Sequence, residues 1–272
     1  LSSGVTQINI LVGTIIASFE TSAVSYLYYA DRIYQINLAL AGIAVGTVSL
    51  PVLSKFYKQK NFLSLSNIQS RSIELSLLLS VPASLGLILA SDEIVGALFG
   101  YGSFTLENVQ MTAKALKFFG YGVPAFALIK IFSNFFFARN NTKTPFYISA
   151  FIVLLNIVLS VTYFNKFGFI IIPIATSIST WVGVIIYAYA LHAKNFLLVK
   201  NYLLKNVVKI ILSTILMAFL LIFALDNYAN YLEYTYNYKL IYLMLIVGFV
   251  AVVYLILCYL GGVLKIKNFK IN

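Results

Sequence analysis

Charge is what this sequence has least of. Only 10% of its 272 residues are Asp, Glu, Lys or Arg, and just eight of them are acidic, against about a quarter charged in soluble domains. With 61% apolar residues and a mean hydropathy of +0.93, a water-soluble domain is excluded. Histidine and cysteine occur once each. His192 has no second His, Cys or acid at ligand spacing, which leaves no zinc-type site. Cys258 stands inside an apolar run, so an intrachain disulfide is impossible and the residue reads as packing. No phosphate-binding glycine loop, HExxH, CxxC, nucleophile elbow or paired carboxylates are present, and nothing marks the chain as an enzyme. The short alternating segments of a membrane β-barrel are absent as well.

What is present is a series of apolar runs, each long enough to cross about 30 Å of hydrocarbon as roughly 20 helical residues. Eight spans are expected: Gly4–Phe19, Ala23–Leu53, Ile73–Leu89, Ala113–Phe137, Phe146–Phe164, Phe169–Leu191, Val207–Leu225 and Leu240–Leu264. The fold class is therefore an all-α polytopic membrane protein. The first run starts almost at Leu1 and contains Gln7 and Asn9, with no basic segment or cleavage site before it. It does not read as a signal peptide, and the chain reads as the C-terminal part of a longer protein.

The 19 basic residues give a net charge of +11, but they are scattered singly through loops, which argues against nucleic acid. Lys55, Lys58, Lys60, Arg71, Arg139, Lys143, Lys194, Lys200, Lys205, Lys209, Lys265, Lys267 and Lys270 fall on one side of the alternating spans. Glu20, Asp92, Glu93, Glu107, Asp226 and Glu233 fall on the other, opposed only by Lys166 and Lys239. The positive-inside rule makes the basic side cytoplasmic, with both ends of the chain facing it. Tyr228, Tyr231, Tyr234, Tyr236 and Tyr238 cluster in the outer loop before the last span, where aromatic rings suit the lipid–water interface. Three regions follow: a six-span unit over 1–192, a basic linker over 193–206 and a final pair of spans over 207–272.

The stretch SYLYYADRIYQINLALAGIAVGTVSLPVLSK, from Ser25 to Lys55, is apolar enough to cross a membrane yet carries Asp31, Arg32 and Gln35. An arginine at mid-depth costs roughly 2.5–3.5 kcal/mol or more, so its presence points to a use. Entering near Thr21, Arg32 lies about 16 Å in, at roughly 1.5 Å per residue. Adjacent helical residues point about 100° apart, so Asp31 does not face Arg32 and the guanidinium is left partly free to take an anion. Lys130, in the fourth span, is a second candidate for a cationic surface suited to a pyrophosphate, which arginine grips with two prongs and lysine with point charge. Lys114 and Lys117, three apart on one face, read as interfacial. Gly42 and Gly46 are spaced for close helix approach, and Pro51, Pro82, Pro124 and Pro173 mark places where helices can bend.

This stretch, together with FGYGSFT at Phe99–Thr105 and NFFFARNNTKTP at Asn134–Pro145, resembles the lipid II flippase family MurJ/MviN of the multidrug/oligosaccharidyl-lipid/polysaccharide exporter superfamily. The resemblance runs over essentially the whole chain. It implies helices seven to fourteen of a fourteen-helix fold: the second six-helix lobe and a C-terminal pair, with the first lobe missing. It implies transport of undecaprenyl-pyrophosphate-linked peptidoglycan precursor across the bacterial inner membrane by alternating access. Carried over, Arg32 matches the cavity arginine of the YADR motif, Ser25 a cavity serine, and Gln35 a position that is Glu or Gln. The final pair would form the groove for the lipid tail. Asn156 and Thr176 match the spacing of a sodium site of some members, whose acidic ligand is replaced here by Ser160. No other cofactor is implied.

Other readings are a polysaccharide or multidrug exporter of the same superfamily, separated by whether a polyprenyl pyrophosphate binds, and a non-transporting membrane scaffold. A membrane glycosyltransferase would need an acidic catalytic pair in a large loop, which is not found.

Overall fold

The protein is described by a computed structural model covering the backbone of residues 2–264 and the side chains of 10–264; Lys265, Lys267 and Lys270 lie outside the described residues. Twelve α-helices follow in order: α1 (Ser2–Ala17), α2 (Ala23–Leu38), α3 (Val45–Lys58), α4 (Phe62–Leu89), α5 (Ser91–Phe99), α6 (Leu106–Gly120), α7 (Val123–Phe137), α8 (Lys143–Phe167), α9 (Ile171–Ala193), α10 (Tyr202–Asn227), α11 (Ala229–Leu232) and α12 (Lys239–Leu260). There are no strands among the described residues. Helices α2 and α3 form one rod of 36 residues, joined by a six-residue π-helical segment, Ala39–Ala44.

By length and composition five continuous stretches can cross a membrane, and the pair α6–α7, bent by 42°, makes a sixth. One of the five, Lys143–Ala193, is 51 residues long. It folds back on itself: Asn156 meets Thr176 and Lys194 meets Thr144, so α8 and α9 run antiparallel as two helices. Helix α1, at 16 residues, is shorter than these. The chain is thus a multi-pass membrane protein whose helices follow the order of the expected runs, while by this measure the expected eight spans are not reached.

The turn between α8 and α9 shows why particular residues stand where they do. Gly168 has φ 59° and ψ −152°, a combination open essentially to glycine alone. A Cβ there would also lie 2.7 Å from Glu20 Oε2. Glu20 occupies that space because it accepts the Phe169 N–H at 2.7 Å, tying the α1–α2 turn to the α8–α9 turn. At the α6–α7 bend, Gly120 lies against Leu87 and Ile88 of α4, and Ser84 Oγ donates to the Gly120 carbonyl at 2.8 Å. Pro124 and Pro173 sit in the first turns of α7 and α9, where the missing N–H costs nothing. Pro51 and Pro82 lie inside α3 and α4.

Between lipid-facing helices apolar burial gives little driving force, so contact rests on close packing and hydrogen bonds. Accordingly Ala115, Ala125, Ala127, Ser76 and Ser80 are fully buried. The six-span unit has a core cluster toward each end, and a third cluster joins α4 to α10 and α12 through Leu78, Ile210, Leu221, Val250 and Tyr254. The final pair is therefore packed on the unit: Tyr254 donates to the Leu78 carbonyl at 2.8 Å.

The loops gather into two ends. At the basic end the linker is shorter than expected, residues 194–201, and it is fastened. Gln69 donates to the Phe196 carbonyl at 2.9 Å and accepts from Leu198 N at 2.8 Å, while Ser70 accepts from Lys200 N. Arg139 donates to the carbonyls of Phe135 and Phe196, its guanidinium 4.6 Å from the Phe196 ring centroid. At the acidic end, Lys239 is 1% exposed. Its ammonium donates to the carbonyls of Gly100 at 2.7 Å and Tyr234 at 2.6 Å, between the rings of Tyr101 and Tyr234.

Candidate functional site

Helix α2 carries the candidate arginine on a face that no other helix covers among the described residues. Ser25, Tyr28, Arg32 and Gln35, spaced three or four apart, are all exposed, and Asp31 lies half-buried on the flank. The opposite face explains this orientation. Ala30, Ile33, Tyr34 and Leu38 are buried, with Tyr34 stacked on Phe119 of α6 at 5.0 Å between centroids. Tyr26 donates to Asn108 at 3.0 Å, and Tyr29 packs against Phe99 and Phe104. Three aromatic anchors thus fix the helix about its axis, and Arg32 turns outward.

Among the described residues the local pairing leaves the guanidinium with no carboxylate within salt-bridge distance. Gln35 Nε2 donates to Asp31 Oδ2, holding that carboxylate along its own flank. Arg32 Nη2 donates instead to the Tyr28 hydroxyl at 3.0 Å, with its Cζ 4.5 Å from the Tyr28 ring centroid. Among the described residues the one ion pair is Arg71–Glu74 at 3.1 Å, at the far end of the rod's neighbour α4. A guanidinium has five N–H donors. One is used by Tyr28, and the fork remains available for a bidentate anion.

Lys130 is not brought to this group. Its Cβ approaches Gly42 and its Cγ and Cε approach Gly46, so the side chain runs along the rod toward the basic end. Gly42 is ten residues beyond Arg32, a rise of about 15 Å. What Lys130 does is cover the two glycines, where Asn134 Nδ2 donates to the Gly46 carbonyl at 2.7 Å. Lys114 and Lys117 are exposed on α6. Burial raises the pKa of Asp92, on the short helix α5, and the charge of Lys117 works against that rise.

The sodium candidates do converge, but on one another. Asn156 is 5% and Ser160 1% exposed. Asn156 Nδ2 donates to Thr176 Oγ1 at 2.9 Å, Thr176 Oγ1 donates to the Ile172 carbonyl at 2.8 Å, and Ser160 Oγ donates to Asn156 Oδ1 at 3.4 Å. The trio is neutral and hydrogen-bonded, with no carboxylate. Buried hydroxyls without a partner lie elsewhere, at Tyr34, Ser76, Ser80 and Thr112. With their polar atoms already paired and no carboxylate beside them, these residues do not fit a sodium ion.

A cavity of about 260 Å³ lies at the acidic end, lined by Asp92, Glu93, Gln110, Leu232, Glu233 and Tyr234. None of the residues around Arg32 lines it, and its carboxylates would repel the anion that Arg32 suits.

The profile of the family described as "Lipid II flippase MurJ" matches residues 1–258. The chain belongs to the MurJ lipid II flippase family. A probable lipid II flippase MurJ of Rickettsia prowazekii (strain Madrid E) is 36% identical over 238 residues, covering 87% of this chain and 46% of that protein. One from Vibrio cholerae serotype O1 (strain ATCC 39315 / El Tor Inaba N16961) is 29% identical over 267 residues, 98% of this chain and 51% of that one. The chain spans about half the length of the curated relatives it matches. Among solved structures, lipid II flippase MurJ in an inward closed conformation superposes with a TM-score of 0.76 at 29% identity, over 94% of this chain and 51% of that chain. An outward-facing multidrug resistance MATE family transporter of the MOP superfamily superposes with a TM-score of 0.63 at 18% identity, over 96% and 60%, a likeness of fold.

Two residues, Tyr28 beside Arg32 and Asn134 at the separate Gly46 contact, are not among those singled out from the sequence. Tyr28 is signalled by its four-residue spacing from Arg32, which stacks the two side chains on a helix. Asn134 carries no such signal, because its partner Gly46 is 88 residues away.

Proposed function

We propose that this MurJ-family chain is the C-terminal half of a transporter that moves undecaprenyl-pyrophosphate-linked peptidoglycan precursor across the bacterial inner membrane by alternating access. In this reading both ends of the chain are cytoplasmic. The observation that carries it is Arg32: a guanidinium inside a membrane-crossing rod, exposed on an uncovered face and without a carboxylate partner. Its fork takes two oxygens of the pyrophosphate, Ser25 and Gln35 offer hydrogen bonds along the same face, and Asp31 is held back by Gln35. Lys130 serves the helix contact at Gly42 and Gly46 and does not touch the headgroup. The missing N-terminal lobe supplies the facing wall. The polyprenyl tail lies along the exposed apolar residues of α10 and α12, such as Leu216, Phe219, Phe223, Leu245 and Phe249.

The test uses the full-length protein in cells depleted of their own flippase. Arg32→Ala is expected to abolish complementation with membrane abundance nearly unchanged, and Arg32→Lys to be impaired because an ammonium lacks the two-pronged contact. Complementation and native precursor binding by Arg32→Ala would overturn the reading. The MATE-like fold keeps a second reading, a multidrug or polysaccharide exporter, which failure to bind any polyprenyl pyrophosphate would favour.

A further inference from the structure

Arg32 is a long side chain on an open face, and a free arginine there would sample many rotamers. Here two contacts restrain it: the guanidinium lies along the Tyr28 ring, Cζ 4.5 Å from the centroid, with Nη2 donating to the hydroxyl at 3.0 Å. Two independent contacts from one residue, the ring face and the hydroxyl, hold the same group. Tyr28 is itself 54% exposed, so packing against another helix does not explain it. Its edge is steadied by Tyr29, 5.9 Å away in a T-shaped arrangement, and Tyr29 is locked against Phe99 and Phe104. A chain of three contacts therefore runs from the anchored helix flank to the guanidinium.

We infer that Tyr28 is a positioning residue for the substrate pyrophosphate: it holds Arg32 extended along the exposed face of α2 before the anion arrives. The inference rests on the proposed role of Arg32. Holding an arginine in its bound geometry removes part of the ordering cost that binding would otherwise carry, so affinity rises without any new contact to the ligand. Tyrosine suits the task because it attracts the cation through its ring without neutralising it. A carboxylate at the same position would compete with the phosphate. Asp31, the nearest carboxylate, is engaged by Gln35 instead. Tyr28 and Gln35 thus act in opposite senses on one target: the first keeps the guanidinium in place, the second keeps the competing anion off it.

The experiment measures binding of undecaprenyl pyrophosphate to the full-length protein in lipid nanodiscs, with uncharged undecaprenol as control. Tyr28→Phe, which keeps the ring and loses the hydroxyl, is expected to weaken pyrophosphate binding roughly three- to tenfold. Tyr28→Leu loses both contacts and is expected to weaken it roughly tenfold or more. Undecaprenol binding is expected to be unchanged by either. In an Arg32→Gln background neither Tyr28 variant should have a further effect, a coupling that a merely structural role would not show. Equal losses in the two backgrounds, or equal losses for undecaprenol, would overturn the positioning role. Failure of the underlying reading looks different: Arg32→Gln alone would then leave pyrophosphate binding intact. If Arg32→Gln weakens binding while both Tyr28 variants bind normally, only the role of Tyr28 falls.

Discussion

Glu74 is 1% exposed, yet it is paired: Arg71 reaches one carboxylate oxygen at 3.1 Å and Asn206 of α10 the other at 3.1 Å. Glu93, on α5 at the acidic end, has no such relief. Burial raises its pKa above the ordinary 4.5, its own backbone N–H offsets part of this, and Asp92 and Asp226 add to the rise. A raised carboxyl pKa means the folded state holds a proton that the unfolded state has released, so stability falls as pH climbs from about 4.5 through the raised value. Glu93→Gln is therefore expected to stabilise the protein at pH 7, by under about 1 kcal/mol given partial solvent screening. The gain should vanish below about pH 4.5, where the native carboxyl is neutral folded and unfolded alike; thermal unfolding across pH checks it. At this scale the sequence was legible where a charge interrupts an apolar run, as at Arg32. It was not legible at Glu74, whose neighbours Ser70, Arg71 and Ser72 look like a solvated loop until α10 covers them. Nor was it legible at Lys130, whose position relative to Arg32 depends on which turn of another helix it faces.

The rod α2–α3 contains the element that no pattern announced. Arg32, Ile36, Leu40, Ala44 and Val48 are all exposed, four residues apart throughout. In an uninterrupted α-helix of 3.6 residues per turn, Arg32 and Val48 would point about 160° apart. The π segment Ala39–Ala44 absorbs one surplus residue, about 100° of rotation, and so keeps one face exposed along the entire rod. Deleting Ala41 should convert the segment to ordinary α-helix while leaving both halves in phase. Inserting one alanine after Ala41 should turn them out of phase by about 100°. Cysteine labelling at Ile36 and Val48 is thus expected to survive the deletion, and at one of the two to be lost on insertion. Spans themselves were readable because hydrophobic length is a one-dimensional property. The first eleven residues of α4, Phe62–Ser72, were not read as helix, since their polar groups are satisfied by a linker more than a hundred residues downstream. Helix α5 was hidden in the same way, being too short and too acidic to resemble a span.

Seen whole, the molecule is polarised: Lys55, Lys58, Lys60, Arg139, Lys194 and Lys200 ring one end, and Glu20, Asp92, Glu93 and Glu233 the other. If the basic end faces the cytoplasm, single cysteines at Ser103 and Asn230 should react with an impermeant reagent outside intact cells. Cysteines at Asn61 and Asn201 should not. Cys258 is fully buried, so Cys258→Ala gives a clean background. The reverse labelling pattern would invert the orientation. The same loops carry a constraint of another kind. Gln69 grips residues 196–198 through a carbonyl and an N–H of the main chain, with no contact to what distinguishes one amino acid from another. Divergence among relatives should therefore keep the connector's letter count fixed, because one added residue would slide every later atom past the clamp, with spelling constrained where the Phe196 ring meets Arg139 and Phe136.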